Sequence, residues 1–500
     1  MKNKISKPLL VFLSALIFLT ASISAQKNQK VIPPPAMSAI RLEDLKKDLY
    51  DLADAHFKGR SAGTLDELKA SMWIVEKFRS IGLKPAGDDG TYLQFFSLWR
   101  NRVADNSSIS INNRPLNLWT DIAISQMANK TIEAPIIYLG NAATVDTNAI
   151  DVQGKVVALE AAPNIINLNM SLPGWRYSRN MMLKYGNTLV RKGAAAIIFI
   201  ADDIAETTWA DAAANFKRGN YDIEGGPNAL LTTTVPVLWL HASAKNELAT
   251  NTAVLKATII IERFQYPSVN IIGKIEGTDS RLASEFLLYS GHQDAHGIRN
   301  VINNDSIYYG ADDNASVDVA MFAIARAFKK KPGKRSVLFV VHGAEERGLL
   351  GSKWYSAHPT VPQHSIIAVL NGDMIGRNNP DSAALLGVQP PHRNSIDLVT
   401  MALAANNEGP KFKLDTLWDK STHVEGWYFR SDHLPYARLG IPALMYTTLL
   451  HPDYHTPGDN AASIDYDKLK KMTEWMYRTG WKVANAPRRP ASDPNFKLER

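Results

Sequence analysis

Val337-Leu-Phe-Val-Val-His-Gly-Ala-Glu-Glu-Arg-Gly-Leu-Leu-Gly-Ser352 starts as an unbroken apolar run and ends, within a few residues, in two adjacent carboxylates and a set of glycines. Residues 337–341 are β-branched or large apolar side chains, the composition of a strand buried on both faces of a parallel sheet. Glu345 and Glu346 then fall at the carboxyl end of that strand, the edge at which open α/β sheets bind ligands. Taken alone, such a pair is most simply two acids in a solvated loop, so the rest of the chain has to decide.

From residue 269 onward the pattern alternates. Residues 269–275, 286–289, 366–370 and 443–446 read as strands, and 315–328 as a helix with Val319, Phe322, Ala323 and Ala327 on one face. A helix begins near 351, and a last one spans 468–483. This order implies an α/β fold with a doubly wound, largely parallel sheet and flanking helices. Upstream, 38–56 and 64–81 show helical spacing, with Ile74, Val75, Phe78 and Ile81 forming one buried face. Thr64 with Glu67 reads as a capping box, and Gly82 as the stop. Between 103 and 262 the character changes to short strands (134–139, 155–160, 195–200, 235–240) separated by long polar or Gly/Pro turns, with one helical stretch at 179–192. No His and acids cluster there at metal spacing, so 103–262 reads as an inserted folding unit. The expected layout is 26–102 and 263–486 for the principal domain, the insertion between them, and a Pro- and charge-rich tail at 487–500 expected to be disordered.

Five hundred residues exceed one ordinary core, and 45% hydrophobic with 21% charged residues is a globular composition. The basic start Met1 to Lys7, the apolar run 9–19 and the small residues up to Ala25 form a secretory signal peptide, expected at 1–25. The apolar run is shorter than the ~20 residues a spanning helix needs, so no stable membrane insertion is expected. Removing the signal takes away three lysines and no acid, lowering the formal net charge from +7 to +4, an excess too mild to argue for nucleic acid. Lys329-Lys-Lys331, at the end of a helical pattern, is a favourable dipole partner. With no cysteine, the chain has no disulfide, thiolate metal site or cysteine nucleophile, so any metal must be held by His, Asp and Glu. A soluble protein of the periplasm or medium is expected.

Five strand or loop ends carry such residues: His292 and Asp294 in Ser290-Gly-His-Gln-Asp-Ala, Asp312 and Asp313 in Gly310-Ala-Asp-Asp-Asn-Ala-Ser316, the Glu345-Glu346 pair, Asp373 in Leu370-Asn-Gly-Asp-Met374, and His455 in Asp453-Tyr-His-Thr-Pro457. Each alone has an ordinary explanation; Asp312 or Asn314, for instance, reads as an N-cap. Together, imidazoles and carboxylates at the carboxyl edges of one sheet suit zinc or a similar divalent ion. Their number exceeds the three protein ligands usual for one catalytic zinc, which points to two ions with a hydroxide held between them. A free carboxylate beside that hydroxide would take up the remaining proton.

With these motifs in order across 290–460, and with Gly59-Arg60 and the following helix, the chain resembles the di-zinc exopeptidases of peptidase family M28, which include leucyl-type aminopeptidases and glutamate carboxypeptidases. The resemblance implies two Zn(2+) per chain held by His292, Asp313, Glu346, Asp373 and His455, with Asp313 bridging. It implies Glu345 as the general base, Asp294 as the residue that orients His292, and Tyr454 near a peptide substrate. Ser431-Asp432-His433 matches a loop beside the site. The insertion resembles a protease-associated domain through Asp151-Val-Gln-Gly-Lys-Val-Val-Ala, Arg191-Lys-Gly-Ala-Ala-Ala and Val235-Pro-Val. Val317 departs from the family's more frequent Gly and touches the helix start rather than a ligand. An aminopeptidase is the expected activity. Carboxypeptidase, glutaminyl cyclase and a non-catalytic binding protein on the same scaffold remain open.

Overall fold

The apolar run at 337 does form a central strand. A computed structural model describes residues 32–147, 149–162 and 171–498; the signal peptide expected at 1–25 lies outside them. The principal sheet is built from β1 (Leu93–Val103), β2 (Asn220–Ile223), β3 (Ile261–Ile275), β4 (Phe286–His292), β5 (Ser336–His342), β6 (Ile366–Gly372), β7 (Ser382–Leu386), β8 (Lys413–Asp415) and β9 (Ala443–Thr447). Their spatial order is β8-β7-β9-β6-β4-β5-β3-β1-β2. The four central strands β9, β6, β4 and β5 are parallel. Outside them the sheet is mixed: β7 and β8 are parallel, whereas β3 is antiparallel to both β5 and β1, and β7 is antiparallel to β9. The parallel centre needs helical crossovers, whereas the flanks are long ribbons and short returns that permit antiparallel pairing.

Register places the candidate residues on one edge. His292 lies opposite His342 across β4 and β5, Ser290 opposite Asn371 across β4 and β6, and Gly372 opposite Tyr446 across β6 and β9. The side chains that follow these positions therefore emerge together at the carboxyl edge.

Helices cover both faces. α1 (Leu65–Ile81) starts with the Thr64 hydroxyl accepting from Glu67 N at 3.3 Å and ends where Gly82, at φ 84°, donates to Phe78 O and Arg79 O. Only half of the capping box forms. The Glu67 carboxylate instead accepts from Gly63 N at 2.7 Å and from the Ser268 hydroxyl at 2.6 Å, tying the helix start to β3. α2 (Ser316–Lys330) is buried along almost its whole length beneath the sheet. Lys329 at its end donates to Gly82 O at 2.7 Å, so part of the basic run caps α1 as well as suiting its own helix end. α3 (Leu350–Ala357) and α4 (Tyr466–Asn485) complete the cover.

β1 and β3 pair without interruption from Leu93↔Ile271 to Val103↔Ile261, a ribbon leading to a second, eight-stranded sheet formed within residues 108–259. That sheet has apolar clusters on its two faces, one including Ile124, Ile198 and Leu238, the other Tyr177, Phe199 and Trp239. The segment between the ribbon strands is not wholly separate, because β2 returns from it to the edge of the principal sheet.

The disordered tail expected from 487 is not what residues 487–498 show. They have no helix or strand, yet Arg489 pairs with Glu285 at 2.6 Å, Asp493 N donates to Asn394 O at 2.7 Å, and Phe496 packs against an apolar cluster with Leu338 and Tyr436. A half-buried phenylalanine and a charge pair offset part of the entropy that composition alone suggested would win. Among the described residues no helix is long and apolar enough to cross a membrane.

Candidate metal centre and active site

β4 ends in His292, whose ring is buried; its Nδ1 lies 3.0 Å from the backbone oxygen of Asp294. Asp294 thus meets His292, the residue it is expected to orient, through its backbone carbonyl, while its carboxylate faces elsewhere. Its nearer oxygen is 3.7 Å from Nδ1. It accepts instead from Glu345 N at 2.9 Å and from Glu346 N at 3.2 Å. One carboxylate thus holds the backbone of the acid pair. The turn after β5 needs that support, because Ala344 and Leu349 sit at φ 54° and 60°, where non-glycine residues are strained. Gly351 lets the chain return at close range, since a Cβ there would meet Gly343 O at 2.2 Å.

Asp313 precedes α2, with its backbone N–H donating to the Asp459 carboxylate at 3.0 Å; Asp312 N donates to the same group at 2.8 Å. Neither Asp312 nor Asn314 caps α2, contrary to expectation. The Asp312 carboxylate accepts from Gly376 N at 2.6 Å, and the Asn314 amide donates to Gly372 O and accepts from Met374 N, binding the end of β6 to the loop. Asp373 follows β6 and donates its N–H to Tyr446 O at 3.0 Å. The fully buried Arg60 donates to four backbone carbonyls, Gln293, Leu52, Tyr309 and Gly310, so it joins the His292 and Asp313 loops.

Two groups of potential ligands result. His292, Glu345 and Asp373 offer atoms within 4.8 Å of one another, and so do His296, Glu346 and His455. Asp313 stands between them: one oxygen lies 3.3 Å from His292 Nε2 and the other 3.2 Å from His455 Nε2. His455 Nε2 is also 3.3 Å from Glu346, and Glu345 is 3.7 Å from His292 Nε2. All five residues that the resemblance makes ligands are therefore in one place, with Glu345 beside them.

The chemistry of these donors fits a cation. His292 Nε2, His455 Nε2, His296 Nε2 and Glu346 Oε1 are buried yet have no hydrogen-bond partner. Each such atom costs about 1–3 kcal/mol if left unsatisfied, and divalent ions would satisfy all of them. The carboxylates are crowded as well. Burial, with Asp313 nearby, pushes Asp373 up to about 7, and burial pushes Asp294 up to about 6. Glu345 is raised well above the usual carboxylate range by burial, against the pull of His292 and with Glu346 and Asp373 adding to it. Asp313 goes the other way: burial opposes its charge, but the imidazoles of His292 and His455 outweigh it and hold the carboxyl below its usual range.

Tyr454 stacks on His455 with centroids 3.6 Å apart, and its hydroxyl accepts from Arg430 at 2.9 Å. Arg430 also donates to the buried Glu425 at 2.7 Å. Glu425 in turn accepts from Ser171 N, the Ser171 hydroxyl and Arg176, which fastens the inserted segment to the wall of the site. Ser431 accepts from Asn371, whose amide oxygen accepts from Ser290, so the Ser431 loop braces the strands under the site. A cleft of about 520 Å³ opens above, lined by Trp175, Asp211, Arg299, Tyr454 and His455 among others. Three residues escaped the sequence reading: His296, Asp459 and the donor role of Arg60. His296 is four positions from His292 and Asp459 four from His455, so proximity to a recognised motif was the available signal.

A paired imidazole and carboxylate cluster at the carboxyl edge of an α/β sheet, under a cleft, is a site built to hold divalent cations. Residues 270–479 match the model of peptidase family M28. The aminopeptidase YwaD of Bacillus subtilis strain 168 is 26% identical over 188 residues, an alignment covering 36% of this chain and 39% of that protein. Only about two-fifths of that relative is therefore spanned. In overall fold the chain is similar to an aminopeptidase from Aneurinibacillus sp. strain AM-1 (TM-score 0.60, 19% identity, 92% of this chain and 97% of that one). It is also similar to a zinc aminopeptidase from Bacillus subtilis (TM-score 0.57, 18% identity, 90% and 97%).

Proposed function

We propose that the protein is an exported exopeptidase that uses two divalent cations, zinc by the nature of the ligands, to release N-terminal residues from peptides. The observation that carries this reading is the carboxylate of Asp313 set between His292 and His455, with Glu345 alongside. His292, Asp313 and Asp373 would hold one ion, and Asp313, Glu346 and His455 the other. When bound, the ions polarise the scissile carbonyl and bring the pKa of water from about 15.7 to about 7. Glu345 takes the proton of the attacking water and passes it to the leaving amine, its carboxyl being raised above the usual range by burial. Asp294 keeps Glu345 and Glu346 aimed through their backbone N–H groups. Tyr454, its hydroxyl held by Arg430, lines the cleft beside His455, where a peptide would pass.

The preference for an N-terminal residue is supported by the likeness to an aminopeptidase of Bacillus subtilis. One observation favours a second reading: Arg299 lines the cleft and would suit a C-terminal carboxylate, as in a carboxypeptidase. We read 103–262 as a protease-associated insertion that shapes access to the cleft, since Trp175 and Asp211 come from it. Export rests on the basic and apolar N-terminal pattern. The test is a panel of aminoacyl chromogenic substrates, C-terminal-residue substrates and an N-terminal glutaminyl peptide, assayed before and after chelation and zinc return. Aminoacyl hydrolysis lost on chelation and restored by zinc is expected. Cleavage confined to C-terminal residues, or cyclisation alone, would replace the aminopeptidase reading.

A further inference from the structure

The cluster around Glu346 contains one imidazole more than the resemblance assigns. We propose that His296 is a protein ligand of the cation held by Glu346 and His455; this rests on the metal centre proposed above and adds a residue to it. Ligand atoms about 2.0–2.2 Å from a tetrahedral ion are roughly 3.3–3.6 Å from one another. His296 Nε2 is 3.2 Å from Glu346 Oε2, His455 Nε2 is 3.3 Å from Glu346 Oε1, and His455 Nε2 is 3.2 Å from Asp313 Oδ2. These separations are those of donor atoms that could share one cation, with Glu346 facing His296 through Oε2 and His455 through Oε1.

The surroundings of the ring argue the same way. Although His296 Nε2 is close to Glu346, it is buried without a hydrogen-bond partner, and it lies within 4.8 Å of the ligand atoms of both Glu346 and His455. The rings of His296 and His455 meet edge to face rather than stacked, with centroids 3.9 Å apart and an interplanar angle of 85°. On the far side, His296 Nδ1 lies 3.5 Å from Arg347 Nη1, the outer limit of a hydrogen bond, while the other terminal nitrogen of Arg347 donates to the Ser61 hydroxyl at 2.9 Å. Arg347 therefore has its own anchor and does not fix the tautomer of His296.

The consequence is an asymmetric pair. The Glu346 ion would then have four protein residues to hold it, Asp313, Glu346, His455 and His296. The His292 ion has three, the number that leaves a position open. Glu345 clusters with His292 and Asp373, on the open side. The open ion is thus the one next to the proton carrier.

The full chain and its His296→Ala and His296→Gln variants, loaded with zinc, test this by chelator titration and X-ray absorption. The wild type should show three imidazoles shared by two ions, and the variants two. One ion should keep its affinity while the other weakens by more than a hundredfold, beyond the ten- to hundredfold typical of residues that only orient a ligand. Two imidazoles in the wild type, or variants that keep both ions within a hundredfold, would overturn the assignment. The wild-type count decides even if neither variant folds. A wild type that takes up no zinc would instead remove the metal centre itself.

Discussion

Asp294→Asn separates two roles for one carboxylate. In the structure Asp294 accepts from Glu345 N at 2.9 Å and from Glu346 N at 3.2 Å, whereas its nearer oxygen is 3.7 Å from His292 Nδ1. Asparagine retains one acceptor oxygen, but its NH₂ group must face the second N–H, so one charge-assisted bond is lost. Such bonds are worth about 1.5–3 kcal/mol. The turn they brace has Ala344 and Leu349 in left-handed conformations and relaxes once released, moving the Glu345 carboxylate. At about 1.4 kcal/mol per tenfold, turnover should fall roughly ten- to a hundredfold. The assay is kcat and KM on an aminoacyl substrate together with zinc content. A lower kcat with little change in KM and with the His292-side zinc retained is expected. Full turnover would refute the bracing role, and selective loss of the His292-side zinc would restore the histidine-orienting role that the sequence suggested.

Glu67 is fully buried, and burial, with Asp294 nearby, pushes it from the usual 4.5 up to about 8. A raised carboxyl stabilises the folded chain fully below the unfolded value and loses that contribution as pH rises through the folded one. Wild-type stability should therefore fall between about pH 4.5 and 8, by at most on the order of 5 kcal/mol at about 1.4 kcal/mol per pH unit. Glu67→Gln, followed by denaturant titration at several pH values, should flatten that slope; an unchanged slope would assign the pH dependence elsewhere. A Cβ on Gly291 would lie 2.6 Å from Val317 Cγ1. Gly291→Ala should then cost about 1–3 kcal/mol by overpacking, and Val317→Ala in the same chain should recover most of it, read from the melting of both variants.

The parts of the site legible in the sequence are those where a local pattern carries the signal. Residues 337–341 are continuously apolar, so Glu345 and Glu346 could be placed at a strand end, and His292 and Asp373 likewise end the apolar runs of β4 and β6. Roles set by partners far along the chain were not legible. Asp294 meets backbone more than 50 positions away, Asp459 reaches back to Asp312 and Asp313, and Arg60 donates to carbonyls on three separate segments. The same holds for Glu67, which reads as a capping residue from spacing but spends its carboxylate on Ser268. The antiparallel flanks escaped for a related reason: apolar composition marks a buried strand without stating its direction.

The central claim is that Glu345 moves protons while its neighbour Glu346 holds metal. Glu345→Gln keeps the size of the side chain and removes its basicity. Zinc content and turnover measured on the same preparation should show both ions retained and the rate reduced roughly a hundred- to ten-thousandfold. Full turnover, or loss of zinc in proportion to the loss of rate, would contradict it.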